Sequence, residues 1–152
     1  MAGDGEHSDQ TRPALWNPNA AAMWSLLLSP AFGAYLHAAN WRSLGNQHRA
    51  AANMGWFWLT VGVLVFSLAT PFLPLPDHFD ESTRYFGIGL MVGWYTLEGR
   101  LQVLEVNGWP PNSYTKRSWA KPLVLGVVLL VGYLAIAFVL LVSREMLLEK
   151  NV

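Results

Sequence analysis

The sequence lacks cysteine altogether and carries little charge. With no Cys among 152 residues, a disulfide framework and a thiolate metal site are both excluded. Only 13% of the residues are charged, and ten basic residues balance ten acidic ones, whereas a soluble domain usually has about 25% charged residues. A neutral chain also lacks the basic face of a nucleic-acid-binding protein, so we expect no nucleic-acid partner.

Motifs for catalysis and for cofactor binding are missing too. The chain contains no GxSxG, no HExxH and no phosphate-binding glycine loop. Its four histidines have no paired ligand spacing, and the serines of the apolar segments lack an evident base partner. We therefore predict that the chain is not an enzyme and has no cofactor, catalytic residue or metal site.

Long apolar runs are what the sequence has instead, since 53% of its residues are hydrophobic. The clearest run, Pro122–Val142, is uncharged and as a helix covers about 30 Å, the thickness of a bilayer's hydrocarbon core. A second run extends from Met54 to about Leu73, where repeated prolines stop it. Both runs predict transmembrane helices.

The third apolar block, Tyr85–Leu97, is too short to cross a bilayer alone. Helical continuation through Glu98 to Val106 gives a full-length helix, with Asp80 or Ser82 as candidate cap at its start. The Asn- and Pro-rich segment 107–112 then ends the helix.

The first apolar block, Ala20–His37, has two interpretations. It is long enough to span, but Ser29 and Pro30 interrupt it and also resemble the N-cap and first residue of a new helix. Gly45 suits the end of that helix. We favour a kinked membrane span over the alternative, a broken and partly interfacial pair of helices.

The predicted fold is therefore all-α, a polytopic membrane helix bundle of three transmembrane helices and a fourth if the first block crosses. We predict a disordered tail at 1–17, a transmembrane domain at 18–146 and a short tail at 147–152. Lys and Arg concentrate in segments 40–53 and 98–121, which places both in the cytoplasm and places 76–84, with Arg84 alone, in the periplasm.

Two groups of residues are candidate sites. Ionisable or polar residues within membrane helices are functional candidates by default, and here they form a cluster predicted from the ends of helices one and three: His37, Asn40, Arg42, Glu98, Arg100, Glu105. Arg42 is a candidate partner for Glu98. For Glu98, Arg100 and Glu105 we favour a plainer interpretation, in which they face water or headgroups on a cytoplasmic extension of helix three.

The second group precedes the last span and combines three cations with an indole: Lys116, Arg117, Trp119, Lys121. We interpret these residues as a topology determinant and interface anchor, with the binding of an anionic lipid headgroup as the alternative. Gly89 and Gly93 form a GxxxG motif, which we expect to serve packing of helix three inside the protein.

Two stretches carry a resemblance to known sequences. They contain NPNAA (17–21), WSLL (24–27), SPAFGA (29–34), NW (40–41) with LG (44–45), and YxKRSWxKPL (114–123). Together they resemble a group of small, uncharacterised bacterial inner-membrane proteins, mostly proteobacterial. The resemblance implies a bacterial inner-membrane location and brings no catalytic or binding residue.

The expected function follows from how little chemistry the chain offers. We predict a non-catalytic integral membrane protein that acts through helix contacts with a membrane partner, as an accessory subunit or a toxin-immunity protein. The lipid bilayer is its expected environment, and another membrane protein or further copies of the chain are its expected partners. The alternative is a small oligomeric transporter or channel with a polar lining from helices one and three.

Overall fold

The computed structural model describes residues 12–74 and 78–150, with the backbone alone for 78–84. Its elements are, in chain order, strand β1 (Ala14–Leu15), helices α1 (Pro18–Leu28), α2 (Pro30–Ser43) and α3 (Gln47–Ala69), a 3₁₀ turn (Thr70–Phe72), helix α4 (His78–Trp94), a π-helical turn (Tyr95–Gly99), helix α5 (Arg100–Asn107), strand β2 (Thr115–Lys116) and helix α6 (Ala120–Glu149). The chain is thus mostly helical, as predicted.

Two helices are long and apolar enough to cross a membrane, by length and composition. They are α3 with its 3₁₀ turn, Gln47–Phe72, and α6, which correspond to the two uncharged runs of the sequence. A helix in the core of a soluble protein would be mostly buried, yet α6 has no buried residue, and its Val128 and Phe138 are 60% and 67% exposed. Both helices therefore support association with a membrane.

The first apolar block forms a helical hairpin, so the favoured prediction of one kinked span was wrong. His37 Nε2 lies 3.3 Å from the carbonyl oxygen of Pro18, although one continuous helix would hold these residues roughly 28 Å apart. The chain reverses at Ser29, whose φ of 155° and ψ of 162° are not helical. The alternative prediction of a broken pair of helices is correct in this respect.

Local chemistry explains the break and the boundaries. Pro30 disfavours helical backbone at the residue before it and lacks an N–H, while the Ser29 hydroxyl accepts from Phe32 N and caps α2. At the other end, Gly45 has φ 75°, and the N–H groups of Gly45 and Asn46 donate back to the carbonyls of Arg42 and Trp41. This is a Schellman ending, so Gly45 stops α2 as predicted.

The hairpin packs closely against the other helices through glycine. A Cβ at Gly33 would overlap the Ser25 hydroxyl of α1 and lie 2.5 Å from the Trp94 ring of α4. The fully buried Trp94 forms the centre of the small hydrophobic core with Ala22 and Ala34. Helix α6 is close to the hairpin at Gly126, where a Cβ would meet Leu28 and Phe32.

The helix predicted from the third apolar block, Tyr85–Leu97, is longer than that block, as expected. Helical structure is continuous from His78 to Asn107 through the π-helical turn. It begins before the candidate caps Asp80 and Ser82, which therefore lie inside α4; the neighbouring Pro76 and Asp77 lie outside the described residues. Gly93 packs on the Trp56 ring of α3, in keeping with a packing role, whereas Gly89 has no such neighbour within 4 Å.

Parts of both predicted tails, 1–17 and 147–152, belong to the folded elements that the structure describes. Ala14 and Leu15 pair in parallel with Thr115 and Lys116, and Leu15 is fully buried, so the end of the predicted 1–17 tail belongs to the fold. Residues 1–11 lie outside the described residues. At the other end α6 continues to Glu149, so the predicted tail from 147 is helical over its first residues.

The segments predicted to be cytoplasmic, 40–53 and 98–121, meet at one end of the protein. Arg117 Nη2 donates to Ser43 Oγ at 3.0 Å, and the start of α1 joins the same end through the bond from Asn19 to Asn107 at 3.0 Å. Both ends of the hairpin therefore lie at that end of the protein, and the described start of the chain lies there too.

Gly33 provides a test of the hairpin packing. Gly33→Ala should lower the free energy of unfolding by about 1–3 kcal/mol, because the added methyl group forces Ser25 or Trp94 to move. Unfolding of the purified protein by SDS in mixed micelles, followed by tryptophan fluorescence, measures the change. The control Gly132→Ala, on α6 with no neighbour within 4 Å, should not destabilise; equal effects from both changes would contradict the packing.

Candidate functional site: a buried polar network

Polar side chains are buried where the hairpin, α3 and α5 meet. The described residues include four fully buried amide or imidazole side chains, His37, Asn40, Asn53 and Gln102. Burying such groups in apolar surroundings costs free energy unless each is hydrogen-bonded. Their partners therefore determine what the site can do.

Asn40 uses its whole carboxamide to hold the segment before α1. Its Oδ1 accepts from the backbone N–H of Trp16 at 3.0 Å. Its Nδ2 donates to the Trp16 carbonyl at 2.8 Å and to Gln102 Oε1 at 3.0 Å. Gln102 in turn donates from Nε2 to the His37 carbonyl at 3.0 Å. One side chain of α2 thus binds the backbone of Trp16 as a neighbouring strand would, and also binds α5.

His37 lies one turn before Asn40 on α2, in a hairpin that is separate from the two long apolar helices. Since the Pro18 carbonyl can only accept, the contact at 3.3 Å assigns a proton to Nε2. The Trp94 ring meets the imidazole edge-on, with centroids 5.1 Å apart. Burial lowers the pKa of His37 to about 4, against the smaller, opposite effect of the Pro18 bond. The imidazole is consequently neutral at pH 7.

A second branch of the network joins α3 to the π-helical turn. Trp94 Nε1 donates to Asn53 Oδ1 at 3.0 Å. Asn53 Nδ2 donates to the Arg49 carbonyl at 2.9 Å and to Glu98 Oε2 at 3.3 Å. Glu98 therefore has an amide partner. The ion pair with Arg42 is not formed, since the salt bridge found among the described residues joins Arg144 and Glu145.

The predicted polar cluster is divided by the structure. His37 and Asn40 lie within the network, and Glu98 lies half-buried at its edge. Arg42, Arg100 and Glu105 are exposed. The plainer interpretation puts Arg100 and Glu105 there, but it also included Glu98, which binds Asn53 instead. The cluster is thus not one site, because three of its charged members are exposed while Glu98 binds the buried amide of Asn53.

The predicted headgroup anchor is divided as well. The Arg117 guanidinium lies over the Trp16 ring, 4.7 Å from its centroid, and also binds Ser43, so it packs within the protein. Lys116 and Lys121 are exposed and Trp119 is half-buried directly before α6. Two of the three cations thus remain at the surface.

Sequence reasoning missed Asn53, Gln102, Trp94 and Trp16 as members of the network. Asn53 is separated from Trp94 by 41 positions and Gln102 from Asn40 by 62, so no local spacing relates them. The usable signal was chemical: an uncharged amide next to an apolar run needs a buried partner.

The amides of both asparagines are hydrogen-bonded: Asn40 to the Trp16 backbone and Gln102, and Asn53 to the Arg49 carbonyl, Glu98 and Trp94. Among the described side chains no group of three or more His, Asp or Glu could hold a metal. Comparison with protein-family models, with curated proteins and with solved structures finds no match.

Loss of the Asn40 amide tests its role. Asn40→Leu leaves three polar partners without their bonds, and each costs about 1–3 kcal/mol when buried unpaired. We expect a loss of at least about 2 kcal/mol in unfolding free energy, with faster hydrogen exchange at the amides of Trp16 and Thr115. The exposed neighbour Arg42→Ala should change stability by less than about 0.5 kcal/mol; unchanged exchange at Trp16 in the Leu variant would contradict the network.

Stability should depend on pH through His37. The unfolded chain protonates His37 below about pH 6.5 and the folded chain below about pH 4, so the folded state binds fewer protons between these values. The stabilisation is therefore complete above pH 6.5 and is lost as the pH falls towards 4, with a loss of about 2 kcal/mol at about pH 5. His37→Gln should flatten this dependence in SDS unfolding, whereas replacing the exposed His48 by Gln should leave it; equal slopes would refute the assignment.

Proposed function

We propose that the chain is a multi-pass protein of a bacterial inner membrane that crosses the bilayer three times. The crossings are α3, the continuous helix 78–107 and α6, and the α1–α2 hairpin enters and leaves on one side. The length of helix 78–107, about 45 Å, supports the third crossing, and so does its packing against α3 through Gly93 and Trp56. The likeness to small proteobacterial membrane proteins supports the location.

The proposed orientation puts the buried network at the cytoplasmic end. Arg49, Arg117 and Lys121 belong to segments that meet there, and basic residues remain preferentially in the cytoplasm. The described start of the chain shares that end, and the end of α6 lies in the periplasm. This proposal differs from the favoured prediction of a fourth span, since a hairpin that returns to its own side adds no crossing.

The proposed activity is non-catalytic: the chain acts through helix contacts with another membrane protein, as an accessory subunit or an immunity protein against a membrane-targeted toxin. The supporting observation is α6, which has no buried residue along 30 residues. It meets the rest of the protein along one side, at Gly126 and at the bond from Tyr133 to Ser67. The opposite side presents Val128, Val131 and Phe138, all more than half exposed.

The transporter or channel alternative is less well supported by the geometry. Its lining would come from His37, Asn40, Glu98 and Arg100. The first two are fully buried and bonded to backbone groups, and Arg100 is exposed outside the network. A path would require these bonds to open, and each opened amide bond costs free energy in apolar surroundings.

Site-specific photo-crosslinking in cells tests the proposal. A photoreactive residue at Val131 should give a protein adduct of one defined mass, and adduct yield should fall when Val128 and Phe138 are both changed to Asn, because an interface of apolar side chains is disrupted by polar ones. The same probe at the equally exposed Ile88 of α4 should label lipid alone. Lipid labelling alone at both positions would contradict a partner on α6.

Ion flux separates the two functions. Liposomes containing the purified chain should conduct no more than empty liposomes, since the buried amides close the polar route. Flux above that level that disappears in Glu98→Gln would instead establish the transporter or channel.

A further inference from the structure

A cavity of about 410 Å³ lies between α3, α4 and α6, away from the buried network. Pro30 at the tip of the hairpin and Pro71 in the 3₁₀ turn after α3 are among its lining residues. The lining is otherwise aliphatic or aromatic with four hydroxyl groups; the residues used below are Thr60, Leu64, Ser67, Gly87, Tyr133 and Ala137. The cavity is partly open to the surface of the molecule.

The hydroxyl groups of the lining leave no free donor. Ser67 Oγ donates to the Leu64 carbonyl at 2.7 Å, and because it has one hydrogen, the 2.7 Å contact between Ser67 and Tyr133 makes the Tyr133 hydroxyl the donor. Thr60 and Thr70 donate to carbonyls of their own turns at 2.9 Å. A cavity without carboxylates or free donors has little to offer an ion or a polar solute, and water needs two to four polar partners to be held in place.

The size of the cavity decides between apolar occupants. Protein interiors rarely leave a void of this volume empty. A partner helix with its side chains is about 10 Å in diameter. Since α3 and α6 are already in contact here through the 2.7 Å bond between Ser67 and Tyr133, a helix from a second copy or a partner does not fit between them. A single hydrocarbon chain is slender enough.

We propose that the cavity holds one acyl chain of a phospholipid from the periplasmic leaflet. The proposal rests on the membrane placement given above, in which residues 60–71, at the end of α3 and in its 3₁₀ turn, lie in the outer half of the bilayer. The chain would enter between α4 and α6 and end against Pro30. It supplies apolar packing between α6 and α3 beside the Tyr133–Ser67 bond. The lipid is therefore a structural ligand of α6.

The test uses the full-length chain in nanodiscs of phosphatidylethanolamine and phosphatidylglycerol, with a trace of phosphatidylcholine that carries a diazirine on one acyl chain. Mass spectrometry should locate adducts at Leu64 and Tyr133. Ala137→Phe fills the cavity and should reduce these adducts by about fivefold or more, while Ala135→Phe, on an exposed face of the same helix, should leave them unchanged. Native mass spectrometry after detergent extraction should show one retained phospholipid per chain, lost in Ala137→Phe.

A second variant covers the case in which Ala137→Phe does not fold. Gly87 lines the opposite wall and has no neighbour within 4 Å, so Gly87→Leu should also fill the cavity and displace the label. Adducts at Leu64 that persist in a folded filled variant, or a retained molecule other than a phospholipid, would overturn the proposal. Labelling of exposed Val128 without labelling of the cavity would refute this inference alone. Absence of label at Val128 as well would refute the membrane placement itself.

Discussion

Pro30 has no N–H to continue the hydrogen bonds of α1, and its ring disfavours helical backbone at Ser29. An apolar block long enough to cross a bilayer consequently becomes two short antiparallel helices. The rest of the structure depends on this reversal. It brings Pro18 beside His37, and it returns the chain to the end where Asn40 can bind the Trp16 backbone. It also leaves room beside the second half of α3 for the cavity.

The buried network gives the hairpin a fixed position against α3 and α5. In apolar surroundings an amide that makes no hydrogen bond is an unsatisfied polar group, which costs free energy. Apolar surfaces alone would permit many packing arrangements of the helices, and the hydrogen-bonded amides select one of them. Asn40 and Asn53 each join two elements in this way. Among the side chains that the structure describes, two buried atoms have no hydrogen-bond partner, His37 Nδ1 and Trp41 Nε1. They lie one helical turn apart on α2, and one is an acceptor and the other a donor.

The sequence predicted the parts of the fold that local chemistry determines. Uncharged runs indicate α3 and α6, and the helix boundaries at Ser29 and Gly45 are where turn chemistry places them. The choice between a kink and a reversal at Ser29 was not local, because it depends on Gly33 admitting Trp94 from a helix 61 positions later. Tertiary contacts of this kind leave no pattern in a single sequence.

The candidate site was predictable in part for the same reason. His37 and Asn40 stand out because they interrupt an apolar helix, and both belong to the network. Glu98 and Arg42 suggested an ion pair by charge, but Arg42 is exposed and Glu98 binds Asn53 instead. Amides such as Gln102 are uncharged, so the sequence does not single them out as site candidates. Their hydrogen-bond partners depend on the tertiary fold.

The parallel pairing of Ala14 with Thr115 has a consequence for the order of assembly. When the hairpin and α3 of a nascent chain have formed, β1 still has no strand to pair with. Its partner β2 is about a hundred positions later and follows the continuous helix 78–107. The pairing of α2 with α3 is short-range and can form early, whereas contacts of high sequence separation form late. The start of the chain is thus fastened after most of the bundle exists, and this fastening closes the side on which Asn40 and Gln102 are buried.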